Sequence, residues 1–185
     1  MNINLVLANN IDLDPTVDLG QLKNIGSLWG SWRTWRACST DNVICHSGAK
    51  AADLINKGFN RTCNFYIPNS VYVALDTPDQ VLAYGGTFEH EVREQDELVA
   101  MHLAAGNSDI ILLLGFDWSA KSKSTDPDQL LLDHNYQNLV LAVLNGNPKV
   151  QWVLCDHPGE LAPEFANLDN LTQDTLVNVF KTLAH

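Results

Sequence analysis

The run DIILLL, Asp109–Leu114, constrains the fold more than any other stretch of this sequence. A strand exposed on one face alternates polar and apolar residues. A strand that is apolar at successive positions must be covered on both faces, as inside a parallel α/β sheet. Its flanks agree with that reading. A helical pattern over 90–105 precedes it, with Leu98, Val99, Met101 and Leu103 along it. The loop GFDWSAKSKSTDPDQ follows, and Asp126 then opens another helix, with Pro127 in the first helical position and Gln129 completing a capping box.

The same alternation runs through the whole chain. Asn2–Ala8, Asn42–His46, Cys63–Ile67, Asp109–Leu114 and Val150–Leu154 read as strands. Helices are expected over 47–58, 90–105, 126–145 and 171–184, the last capped by Asn170. Leu22, Ile25, Trp29, Trp32 and Arg36 recur at helical spacing, so LWGSWRTWR reads as part of the first crossover helix, with Gly26 and Gly30 permitting close packing. Repeated strand–helix units imply a parallel sheet with helices on both faces. The expectation is α/β: one domain over 1–185, a Rossmann-like or flavodoxin-like three-layer sandwich with a five-stranded, mostly parallel sheet in the order 3-2-1-4-5.

Composition narrows the partners. Twenty-two acidic residues against 11 basic ones give a formal charge of −11, which repels phosphate backbones and anionic lipid. Duplex nucleic acid and membrane surfaces are therefore excluded, and no apolar run approaches the length of a bilayer span. The opening MNINLVLANN lacks a basic n-region. Cys38, Cys45, Cys63 and Cys155 form no C-x-x-C pair and read as buried thiols of a reducing, cytoplasmic compartment. Neither a P-loop nor a dinucleotide fingerprint occurs, so no cofactor is expected. His90 and Glu94 have helical ligand spacing but no third partner, so no metal is expected either.

In such sheets ligands bind beyond the carboxyl ends of the strands, where the strand order reverses. With the order 3-2-1-4-5 that point lies between strands one and four, and Asn9, Asn10, Gly115, Phe116 and Asp117 line one crevice, with Trp118 beside them. His46, Ser47 and Gly48 follow strand two and suit an anion at a helix N-terminus. Asn69 follows strand three. Arg33 and Arg36 each need a carboxylate or an anionic ligand. In FEHEVREQDELVAMH, Glu91 and Glu94 share a helix face and are the candidates for acid–base work, together with Asp117. Asp156 and His157 form a further acid–base candidate by position.

EQDELVAMHLAAGNSDIILLLGFD resembles the helix–strand unit of nucleoside 2-deoxyribosyltransferases and the related SLOG nucleotide-handling domains, and HSGAKAADL is similar to the SLOG turn SGGARGAD. Residues 129–145 contain no Glu, where the transferases carry their nucleophile, and the SLOG G-G-x-x-x-G motif is absent. The whole chain also resembles proteins of marine T4-like phages, which implies a host-cytoplasmic location. The resemblance implies a nucleotide- or nucleoside-binding domain with N-glycosidic hydrolase or transferase chemistry. The alternative is a non-catalytic, homo-oligomeric accessory module, with the indole helix and residues 118–129 as its protein-facing surface.

Overall fold

The computed structural model describes residues 1–9, 19–75, 81–85, 95–119 and 126–183, without the side chains of Arg36, Ala37 and 129–131. The strands are β1 (Ile3–Leu7), β2 (Ser27–Ser31), β3 (Asn42–Ile44), β4 (Asn64–Pro68), β5 (Val81–Tyr84), β6 (Ile110–Leu114), β7 (Gln151–Cys155) and β8 (Leu171–Asp174). The helices are α1 (Leu19–Ile25), α2 (Trp32–Cys38), α3 (Gly48–Asn56), α4 (Asn69–Ala74), α5 (Asp96–Ala105), α6 (Pro127–Gly146), α7 (Pro163–Ala166) and α8 (Leu176–Leu183).

All strands join one sheet in the order β5-β4-β3-β2-β1-β6-β7-β8, and every pairing is parallel. The sheet thus has eight strands rather than five. The five read from the sequence keep their relative order, and β2 is inserted between the first and second of them. Order reverses between β1 and β6, which pair from Ile3↔Ile110 to Leu7↔Leu114.

Side-chain alternation divides the core into two layers. Val6, Ile111, Leu113, Trp152 and Leu154 face α5 and α6, meeting Leu98, Met101, Val140 and Leu144. Leu5, Leu7, Leu112 and Leu114 face the other way, toward Leu22 of α1 and Leu176 and Val179 of α8. On that second face, Val43, Phe65 and Ile67 pack with Ala51 of α3. The unbroken apolar character of Ile110–Leu114 follows from this double cover.

Three expectations about local structure are corrected. LWGSWRTWR is not one helix: α1 stops at Ile25, Ser27–Ser31 is a strand, and α2 starts at Trp32 behind an N-cap at Ser31, whose Oγ accepts from the Arg33 and Thr34 amides. A Cβ on Gly26 would overlap the Ile3 carbonyl, so the close approach of this turn to β1 admits only glycine. The indoles consequently divide between the layers. Trp29 meets Tyr66 on the α5 face at 5.4 Å, while Trp32 and Trp35 pack with the α3 cluster. The terminal helix begins at Leu176 rather than 171, because Leu171–Asp174 forms the edge strand β8. Val81–Tyr84, in a stretch without regular pattern, is the opposite edge. The Asp126 cap and Pro127 at N1 are present, with Asp126 Oδ1 accepting from the Asp128 amide at 3.1 Å.

Gly26→Ala is expected to lower unfolding free energy in urea by about 2–4 kcal/mol, since backbone rather than a side chain must move. Gly146→Ala, where an added methyl meets nothing within 4 Å, is expected to be neutral or stabilising by up to about 1 kcal/mol.

Candidate functional site

The carboxyl ends of β1, β2 and β3 lie side by side, and α5 begins above them. Its first two residues are acids, held there favourably by the helix dipole. They diverge: Asp96 reaches β3 and Glu97 reaches β1.

Asp96 is 2% exposed. Its Oδ1 accepts the His46 main-chain N–H at 3.0 Å and stands 2.8 Å from His46 Nδ1. A buried carboxylate against Nδ1 fixes the orientation of the imidazole ring. Orientation of a histidine by a buried aspartate is the arrangement required of a general base. Glu97 uses both oxygens. Oε2 accepts the Asn9 amide at 2.8 Å and Oε1 accepts the Tyr136 hydroxyl at 2.8 Å. It therefore ties the end of β1 to α6 across the point where strand order reverses. Burial, and after it the Glu97 carboxylate, hold the Tyr136 phenol protonated well above its ordinary range. Asn9 Oδ1 is buried with no partner among the described residues.

A cationic cluster lies beside this edge. Arg33, in the first turn of α2, is exposed, and its guanidinium stands 5.3 Å from the centre of the Trp32 ring. Lys50 Nζ lies 4.7 Å from the same ring and 3.3 Å from Asp53. Arg33 forms no ion pair among the described residues. Ser47 caps α3, its Oγ taking the Lys50 amide at 3.4 Å. A Cβ at Gly48 would make only ordinary 3.7 Å contacts with Val71, so packing does not demand glycine there. Asn69 is exposed at the end of β4 on the same edge.

At the end of β6, Gly115 adopts φ 78°, which turns the chain out of the strand. Phe116 and Trp118 then fold back into the core, 3% and 1% exposed, with Trp118 stacked on Phe165 at 5.1 Å. Their rings do not line the edge. The Asp117 side chain is exposed, with Oδ1 3.1 Å from the Ser119 amide. His157 is a loop fastener: Nε2 accepts the Trp118 amide at 2.9 Å, and Nδ1 donates to the Gly159 carbonyl at 2.9 Å. Asp156, at φ 52°, accepts the Leu176 amide and so caps α8. The two side chains thus do not pair with each other, and His157 Nε2 instead stands 3.6 Å from Asp117 Oδ1.

Asn10, Glu91, Glu94 and His90 lie outside the described residues, as does the Arg36 side chain. Of the residues read from the sequence, the structure gathers Asn9, His46, Ser47, Gly48 and Arg33 along the edge of β1 to β3. Sequence reasoning missed Asp96, Glu97, Tyr136 and Lys50. The available signal was the pair of acids in the first turn of α5, which a dipole-favoured surface position also explains. Among the described residues, no three His, Cys, Asp or Glu are placed to hold a metal ion, and no helix is long and apolar enough to cross a membrane.

Removing the Tyr136 hydroxyl (Tyr136→Phe) leaves a Glu97 oxygen short of its donor and is expected to cost about 2 kcal/mol in urea unfolding. Burial pushes the Cys45 and Cys155 thiols up to about 12. The unfolded chain ionises these groups first, so above pH 9 stability should fall by about 1 kcal/mol per pH unit for each thiol. Native-state alkylation at pH 8 should be correspondingly slow and become fast on unfolding. No protein-family model, curated protein or solved structure matches the chain.

Proposed function

We propose that the carboxyl edge of the sheet binds a nucleotide or nucleoside and cleaves its N-glycosidic bond by hydrolysis or transfer. The observation that carries this reading is Arg33, an exposed guanidinium held beside Trp32 without a carboxylate partner among the described residues, in a chain of net charge −11. An anion is the natural partner for such a group. Lys50, Ser47 and the amides at the start of α3, with Gly48 leaving room over them, extend the same positive locus toward a phosphate. Asn69 borders it, and the Arg36 side chain is proposed as a second cation.

The sugar and base then lie toward β1, with Asn9 Oδ1 accepting from the ligand, Gly115 and Asp117 bordering the crevice, and Asn10 proposed as a further contact. His46 acts as general base, with Asp96 as its positioning residue. Nε2 takes a proton from water, or from an acceptor hydroxyl, as that oxygen bonds to the anomeric carbon. The electron pair of the breaking C–N bond leaves with the base. Glu91 and Glu94, immediately before α5, are proposed for protonation of the leaving group, with Asp117 as the other candidate acid. For the rival interaction module the indoles divide: Trp29 is 9% exposed, while Trp32 and Trp35 are only partly buried against the α3 cluster.

Thermal-shift titration with adenosine, AMP and ribose 5-phosphate tests the reading. Saturation at about 100 times Kd should stabilise the protein by about 2.7 kcal/mol. Arg33→Ala should weaken AMP at least tenfold while sparing adenosine. His46→Gln should abolish base release and leave the thermal shift in place. A panel in which no nucleoside, nucleotide or sugar phosphate moves the Tm would sink the proposal. A concentration-dependent oligomer in light scattering, alongside that silence, would favour the interaction module.

A further inference from the structure

We infer that a second site, for an uncharged sugar ring, lies at the opposite, amino edge of the sheet. A cavity of about 590 Å³ opens there between the last turn of α5 and the first residues of β1 to β3. Asn4, Ser27, Trp29, Asn42, Tyr66 and Asn107 line it. Its origin is architectural. On this face α5 packs over β1, β2 and β3, and Tyr66 of β4 stands beyond its shoulder.

The polar atoms of the lining are incompletely matched. Asn42 is 4% exposed, and its Oδ1 accepts from the Asn64 side-chain Nδ2 at 2.9 Å. The Trp29 indole N–H is buried and has no partner among the described residues. Asn4 donates its Nδ2 to Ser108 Oγ at 2.7 Å and to the Ala104 carbonyl at 3.3 Å, so its Oδ1 remains an acceptor. Buried polar groups are almost always paired, and an unmatched indole donor beside the Asn4 acceptor calls for a guest that both accepts and donates. Hydroxyl groups do both. Met1 also lines the cavity, and its N-terminal ammonium is met by Asp109 at 3.8 Å; no lining side chain is a carboxylate, ammonium or guanidinium, so an uncharged guest is the match. The Tyr66 ring, tilted 35° against Trp29, supplies an apolar surface for the C–H face of a ring. A cavity of this size accommodates a mono- or disaccharide, or a nucleoside entering by its glycosyl part.

The full chain, ¹⁵N-labelled at its tryptophan indoles, provides the test. Trp29→Phe assigns the Trp29 N–H signal. Ribose, glucose, adenosine and adenine are then titrated separately, to about 50 mM for affinities on the order of 1 mM. Saturable movement of the Trp29 signal with glucose or ribose identifies a free sugar. Movement with adenosine but neither sugar identifies a nucleoside. Either result supports the site, provided Ser27→Phe, at the exposed mouth, weakens the response at least tenfold and Arg33→Ala leaves it unchanged. A still Trp29 signal with every ligand overturns the proposal, as does movement with adenine alone or a response lost in Arg33→Ala. Because the carboxyl-edge reading is tested through Arg33 and this one through Trp29 and Ser27, either can fail without the other.

Discussion

The pairing of β1 with β6 is the constraint on which the rest of the structure depends. Five consecutive residue pairs, Ile3↔Ile110 to Leu7↔Leu114, bring the chain back beside its own start after about a hundred residues. β6 is apolar at every position and β1 at all but Asn4, so helices must cover the sheet above and below. That requirement sends α5 and α6 to one side and α1 and α8 to the other. It also fixes where the strand order reverses, between β1 and β6.

The start of α5 turns this topology into chemistry. Two consecutive carboxylates sit where three parallel strands end, and they perform different work because their neighbours differ. Asp96 is enclosed and meets an imidazole; Glu97 is shared between a main-chain amide and a phenol. One orients the His46 imidazole, and the other ties the end of β1 to α6. Their functions separate without any separation in sequence, because successive residues on a helix point about 100° apart.

How much of this was legible in the sequence depended on whether the deciding interaction is local. DIILLL declares its double burial by itself, and Asp126-Pro127 declares a helix start through bonds spanning two residues. β2 was not legible, because Leu22, Ile25, Trp29 and Trp32 happen to match a helical period. What breaks that helix is the contact of Gly26 with Ile3, on a different strand. β8 was hidden for another reason: LTQD has one buried residue, as suits an edge strand with a solvated outer side. The edge rule located His46, but its pairing with Asp96 lies 50 residues away in sequence. Phe116 and Trp118 stand at a position where ligand contact is expected, yet Gly115 turns them inward.

The long return from β1 to β6 also shapes how the chain acquires its structure during synthesis. β2, β3, β4 and β5 emerge from the ribosome in order of position along the sheet, each able to dock on the one before. β1 has one neighbour at that stage, and its other side presents unpaired N–H and C=O groups on a strand of sequence INLVL. The partner that closes this side is translated more than a hundred residues after β1 begins. Contacts of such separation form slowly, and an apolar edge left waiting is an invitation to the wrong strand. The central seam of the finished sheet is thus, for much of its biosynthesis, an outer boundary, and the half-built protein is most vulnerable at the place where the completed one is most secure.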